Sequence, residues 1–168
     1  MTSSRLPVKS LTSLRSGGCP GWCYSLAGRG FSFCGVRMKP KIYLCGPING
    51  CTDDEATTWR EWFKNSGLAA DFVDPMKRDY RGKEASDYRE IVELDKRDIR
   101  GCDAVVVMYV KPSVGTSMEV FFAWTLGVPV IVNDESDKPI SPWLKYHATS
   151  VVANKEHALA KLVEWSDD

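Results

Sequence analysis

Apolar residues along this chain fall into two patterns: short uninterrupted runs, and longer stretches in which they recur every three or four positions. Residues 42–45, 104–110 and 128–132 are of the first kind, the last two rich in the β-branched side chains that suit strands of a buried sheet, and 71–73 and 150–153 read as shorter strands. The stretches between them are of helical length. Thr52 with Glu55 three residues on makes a capping box, and Ala56, Trp59, Trp62 and Phe63 recur at helical spacing, so a helix with a buried aromatic stripe runs up to Gly67. Ser86 is placed to cap a second helix over 87–100, whose Ile91, Leu94 and Ile99 face the sheet. A third covers 116–126 with Gly127 as its C-cap, and a fourth closes the chain over 155–165. The order β-α-β-α-β-α-β-β-α predicts an α/β sandwich, a five-stranded and mostly parallel sheet with helices on both faces and right-handed crossovers.

Residues 104–130, AVVVMYVKPSVGTSMEVFFAWTLGVPV, form the strand-loop-helix-strand unit that most constrains the rest. This pattern puts Glu119 in the first turn of a helix at the carboxyl edge of the sheet, where open parallel sheets bind their ligands. A carboxylate there is a cap or a reagent, and Thr116 with Glu119 has the spacing of a capping box. Two loops cross the same edge. One is Gly46-Pro47-Ile48-Asn49-Gly50; the other, 76–85, carries Lys77, Arg78, Arg81 and Lys83 and reads equally as a lid or as a plain connection.

With 168 residues, 43% of them apolar, the chain has material for one core and not two. Its 22 basic residues balance 22 acidic ones, so the charge favours neither a nucleic-acid polymer nor an anionic membrane as partner. No apolar run has the length of a membrane span. The balance is uneven, because residues 1–37 hold Arg5, Lys9, Arg15, Arg29 and Arg37, no acid, and no helical or strand period. They are read as an extension outside the fold, either an organellar transit peptide or an upstream reach of the reading frame with Met38 as the working start. The domain is placed at 38–168 and is expected to fold and act without the extension. Cys45, Cys51 and Cys102 fall in or beside core elements, while Cys19, Cys23 and Cys34 follow no zinc spacing; with His147 and His157 the only histidines, no metal site is expected. A reducing compartment is the simpler reading, cytoplasmic, or organellar if 1–37 is a transit peptide.

Three acids are expected at the carboxyl edge: Asp74 after the second strand, Asp95 on the helix before the third, and Glu119. A pair of them suits retaining cleavage of a glycosidic bond, in which one carboxylate attacks the anomeric carbon and a second group protonates the leaving group. The residues also carry a resemblance. Tyr43-Leu44-Cys45-Gly46-Pro47-Ile48, then Asp95 followed eight residues later by Asp103 and a valine-rich strand, then Ser113-Val114-Gly115-Thr116-Ser117-Met118-Glu119, resemble in order and spacing the nucleoside 2-deoxyribosyltransferase family, across residues 41–165.

The resemblance implies a single flavodoxin-like, Rossmann-like domain acting on a small nucleoside or nucleotide, its deoxyribosyl group passing to another base or to water with no cofactor. It implies Glu119 as the nucleophile on C1′, Asp95 as the acid that handles the departing base, and Tyr43 as the residue that places Glu119. Gly46, Pro47, Ile48 and Asn49 would wrap the sugar or its 5′ substituent, Gly115 would let the backbone approach the ligand, and Asp74 would touch the base or the sugar. It also implies a homodimer or larger homo-oligomer, with the partner subunit's Ser117 near the pocket.

Ser113 bears on the 5′ position. Transferases acting on free nucleosides tend to carry an acid six residues before the nucleophile, whereas the 2′-deoxynucleoside 5′-phosphate N-hydrolases carry serine there, as this chain does; a hydroxyl removes repulsion toward a phosphate. Where those hydrolases have serine and arginine in the first loop, this chain has Pro47 and Asn49, losing one donor and one fixed charge that Lys77, Arg78 or Arg81 would have to replace. Two rival readings stand beside this one. In the first, a nucleotide-binding module without turnover, Glu119 only partners a cap; in the second, a flavodoxin-like redox fold, the first loop lacks the Ser/Thr-rich phosphate cradle. His147 is left unassigned, as a surface histidine or a group behind the site.

Overall fold

Residues 39–167 are described by a computed structural model; the extension placed at 1–37 lies outside the described residues. The elements are β1 (Lys41–Cys45), α1 (Asp53–Lys64), β2 (Asp71–Val73), α2 (Glu84–Arg100), β3 (Ala104–Tyr109), α3 (Val114–Thr125), β4 (Val130–Asp134), α4 (Pro142–His147), β5 (Ser150–Val152) and α5 (Lys155–Asp167). A single 3-10 turn, Pro75–Lys77, follows β2. The sheet runs β2-β1-β3-β4-β5 with every pairing parallel. This is the flavodoxin-like order, and the chain reverses its direction of travel across the sheet between β1 and β3.

Strand periodicity distributes the core. Tyr43 and Cys45 of β1 point with Val105, Val107 and Tyr109 of β3 toward α2 and α3, where Ile99, Val120 and Ala123 meet them. Ile42, Leu44, Val106 and Met108 point the other way, onto Trp59 and Phe63 of α1 and Ala158 and Leu162 of α5. Both faces of β1 and β3 are thus covered, and each fully buried valine or leucine contributes about 1.5–3 kcal/mol. The capping box at α1 forms as expected, with the Glu55 N–H donating to Thr52 Oγ1 at 3.2 Å and the Thr52 N–H donating to Glu55 Oε2 at 2.8 Å. Among the described residues no helix is long and apolar enough to cross a membrane.

The local signals misplace several boundaries. Ser86 does not cap α2, which begins at Glu84 with Lys83 as N-cap; the Ser86 hydroxyl donates instead to the Lys83 carbonyl at 3.0 Å. On α2 only Ile99 is fully buried, with Ile91 and Leu94 half-buried. Helix α4 occupies a stretch to which the sequence pattern assigns no element. Helix α3 starts two residues before the expected Thr116, because Ser113 is extended (φ −139°, ψ 126°) and its hydroxyl accepts the Thr116 N–H at 3.3 Å. Glu119 therefore stands in the second turn, and its pairing with Thr116 as a capping box does not occur.

Gly46 closes β1 against α1. A Cβ at this position would lie 2.7 Å from Trp59 Cζ2 and 3.2 Å from the Met108 carbonyl oxygen, inside a packed wall. Gly46→Ala is expected to cost about 1–3 kcal/mol through overpacking, read as a lowered urea midpoint at unchanged slope; a midpoint equal to wild type would contradict this packing.

Candidate active site

The turns that leave β1, β2 and β3 meet over the carboxyl edge of the sheet and enclose a cavity of about 260 Å³. Gly46, Ile48 and Asn49 form one wall, Arg78, Tyr80 and Arg81 another, and Ser113, Gly115, Thr116 and Glu119 a third, with Asp95 projecting from α2. The cavity sits at the β1/β3 switch point, where a doubly wound sheet leaves room for a ligand.

Glu119 is held from below. The Tyr43 hydroxyl donates to its Oε1 at 2.8 Å and the Cys45 thiol to its Oε2 at 3.0 Å. Both donors come from the same face of β1, two residues apart, which is what strand periodicity dictates. Burial, and then the Asp95 charge, push the Glu119 carboxyl up to about 7, against the pull of Cys45, Tyr43 and Arg60. Burial also raises Asp95, opposed first by Arg78, whose Nη2 stands 3.5 Å from Asp95 Oδ1 and 2.6 Å from Asp98 Oδ2. Tyr43 is held well above its usual range by burial and by Glu119, so it stays a hydrogen-bond donor. Two acids in one cavity, both pushed toward their protonated forms but with different neighbours, are the arrangement from which acid and nucleophile are made.

Of the residues singled out from sequence, Gly46, Ile48, Asn49, Asp95, Ser113, Gly115 and Glu119 line the cavity, and Tyr43 lies directly behind Glu119. Pro47, Asp74 and Ser117 do not line it. Asp74 is buried, 2.6 Å from Lys64 Nζ and 3.3 Å from Arg60 Nε, and its Oδ1 accepts the Met76 N–H at 2.9 Å. Ser117 is exposed and its hydroxyl donates to the Ser113 carbonyl at 2.9 Å. In the long loop Arg78 and Arg81 reach the cavity while Lys77 is exposed away from it. Arg81 Nη2 is 2.6 Å from both Asp79 Oδ2 and Asp53 Oδ1. His147 is neither at the surface nor at the cavity: it is buried among Phe121, Trp124, Trp143 and Tyr146, its Nδ1 2.7 Å from the Trp143 carbonyl.

Two residues that matter here carried little signal. Thr116 lines the cavity and keeps a buried hydroxyl without a partner among the described residues; its position one helical turn before Glu119 would have marked it. Arg60 is fully buried under the first loop, donating to the carbonyls of Ala56 and Gly46, the latter at 3.1 Å, with its guanidinium 4.2 Å from the centre of the Trp59 ring. Arginine is almost never buried unless paired, so nothing in the sequence of α1 marks it as interior.

A flavodoxin-ordered domain whose switch-point cavity holds two acids has the pair of carboxyl groups that retaining glycosyl transfer calls for. The chain is a member of the nucleoside 2-deoxyribosyltransferase family, whose sequence profile matches residues 42–159. Comparison with curated proteins gives no significant match. Among solved structures, a 2-deoxyribosyltransferase from the psychrotolerant bacterium Bacillus psychrosaccharolyticus is similar with a TM-score of 0.57 and 14% identity, over 70% of this chain and 88% of its own. A conserved protein from Enterococcus faecalis V583 gives a TM-score of 0.59 and 16% identity, over 76% and 99%. At such identities the likeness is one of fold.

Proposed function

We propose that the protein cleaves the N-glycosidic bond of a 2′-deoxynucleoside or its 5′-monophosphate by double displacement, through a deoxyribosyl ester of Glu119. The observation that supports this reading most is the Glu119 carboxylate, fixed at both oxygens on the cavity floor with Asp95 beside it. One Glu119 oxygen attacks C1′, the C1′–N bond breaks with its electron pair passing to the base, and Asp95 delivers a proton to that nitrogen. A second base or water then attacks C1′, giving up its proton to Asp95 and releasing Glu119. Ser113 and the 46–49 loop would meet the 5′ end. Arg78 and Arg81 line the same cavity and are the cations a 5′-phosphate would call on, each already paired with carboxylates that the phosphate would have to displace.

With Ser113 as the cap of α3, Glu119 is not the cap partner that the alternative reading, a binding module without turnover, gave it. The working form is proposed to be a homo-oligomer: Met118, Phe121 and Trp124 of α3 and Trp143 and Tyr146 of α4 are all exposed large apolar side chains, more than monomers commonly leave in water.

The test is incubation with a panel of deoxynucleosides and their 5′-monophosphates, with and without a second free base, read by chromatography. Free base alone marks a hydrolase and a new nucleoside a transferase; no product across the panel would sink the proposal. In the same assay Asp95→Asn is expected to slow release of natural bases by about 10²–10⁴-fold. It should slow much less a leaving group that departs without a proton, and equal losses for both would remove Asp95 from the acid's role.

A further inference from the structure

Tyr43 and Cys45 are donors of very different strength, a phenol and a thiol, yet they hold the two oxygens of one carboxylate. Cys45 is fully buried. Both acceptors within its reach lie on α3: Glu119 Oε2 at 3.0 Å, and the Thr116 carbonyl one turn earlier at 3.8 Å. The thiol is therefore packed between β1 and α3, and its shorter polar contact is with that helix's glutamate. Burial and the Glu119 charge push the thiol well above its usual acidity range, so it remains S–H while Glu119 is ionised. The other charged or titratable groups that bear on Glu119 are Tyr43 on β1, Asp95 on α2 and Arg60 on α1; Arg78 pairs with Asp95 and Asp98.

A nucleophilic carboxylate has two conflicting needs. It must be fixed in the attacking orientation, and its oxygens must keep their electron density for C1′. A strong donor meets the first need at the expense of the second, because it stabilises the charge that has to be given up. A thiol is the compromise, since its hydrogen bond directs the oxygen while drawing less charge than a hydroxyl in its place would. We infer that Cys45 is a positioning residue of the reaction, a deliberately weak donor that orients Glu119 Oε2 while leaving the carboxylate nucleophilic. This rests on the role given to Glu119 above.

The inference is tested on the full chain in two ways. Infrared pH-difference spectra report the S–H stretch, which lies apart from other protein bands. Wild type is expected to show an S–H band that shifts as Glu119 titrates near pH 7, and Glu119→Gln is expected to lose that shift; no shift in wild type overturns the proposal whether or not the enzyme turns over. The second readout is the acid limb of kcat/KM. Cys45→Ala, lacking the donor, should move the limb up by about half a pH unit or more, and Cys45→Ser, a stronger donor, should move it down by a similar amount. Turnover in Cys45→Ser should fall about two- to fivefold with KM nearly unchanged. Coincident limbs in the three folded proteins overturn Cys45 as a positioning residue. If Glu119→Gln kept its activity, the nucleophile itself would be misassigned; if it is dead while the limbs coincide, only the role of Cys45 has failed.

Discussion

Glu119→Ala is expected to lower turnover by about four powers of ten or more, because a double displacement by the proposed route would lose nearly all of its rate with its nucleophile. Retention of even a tenth of wild-type activity would refute the covalent route. Glu119→Gln, closer in shape, separates chemistry from folding through pH. The native carboxyl titrates near 7, above the ordinary range of glutamate, chiefly because of burial. Between about pH 4.5 and 7 the native state therefore holds a proton that the unfolded chain releases, so stability falls as pH rises through that window. The cost of the buried charge is fully present above pH 7 and absent at pH 4. Glu119→Gln removes it, and should raise stability at pH 8 by on the order of 1–3 kcal/mol while leaving pH 4 nearly unchanged. Calorimetry at the two pH values reads the difference. A dead but more stable variant is the mark of a residue kept for function against the interest of the fold; a variant dead because it is destabilised at pH 8 would contradict the assignment.

The second large effect lies behind the site. Arg60→Met is expected to cost about 3–5 kcal/mol, the usual result of removing one partner from a buried ion pair. The substitution leaves Asp74 buried with Lys64 as its remaining cation, and takes the guanidinium donors from the Gly46 and Ala56 carbonyls. Urea unfolding measures the loss, and adding Asp74→Asn should recover part of it, because a buried charge left with one cation in place of two goes with it. A loss under about 1 kcal/mol would mean that the network is loosely held. Since Gly46 opens the cavity's first wall, KM should rise in the single variant even where it remains folded.

Much of the architecture was legible because it follows from short-range periodicity. The central strand β3 is readable as a β-branched run buried on both faces, and α1 as a capping box followed by an aromatic stripe. Cavity and partners depend on which of several compatible local signals prevails, and on contacts far apart in sequence. Ser113 and Thr116 are both competent caps three residues apart; Ser113 prevails in extended backbone, which moves Glu119 from the first turn to the second. Helix α4 went unnoticed although Ser141-Pro142 is a fair start signal, because its six residues are too few to display a period. Its place after β2 groups Asp74 with the site acids, and no pattern within β2 reveals that Arg60 and Lys64 of α1 enclose it. Tyr43 behind Glu119 came from family resemblance, since a tyrosine on a buried strand is ordinary core by pattern.

The hydroxyl of Tyr43 and the carboxylate it grips are 76 residues apart, and β1 pairs with β3 only after α1, β2 and α2 have intervened. A chain refolding from denaturant can therefore regain helical signal from local segments well before the central strands find their register, a non-local and slow event. Catalytic competence should return with that last cooperative step, lagging the helical signal, so that enzyme activity serves as a clock for closure of the sheet.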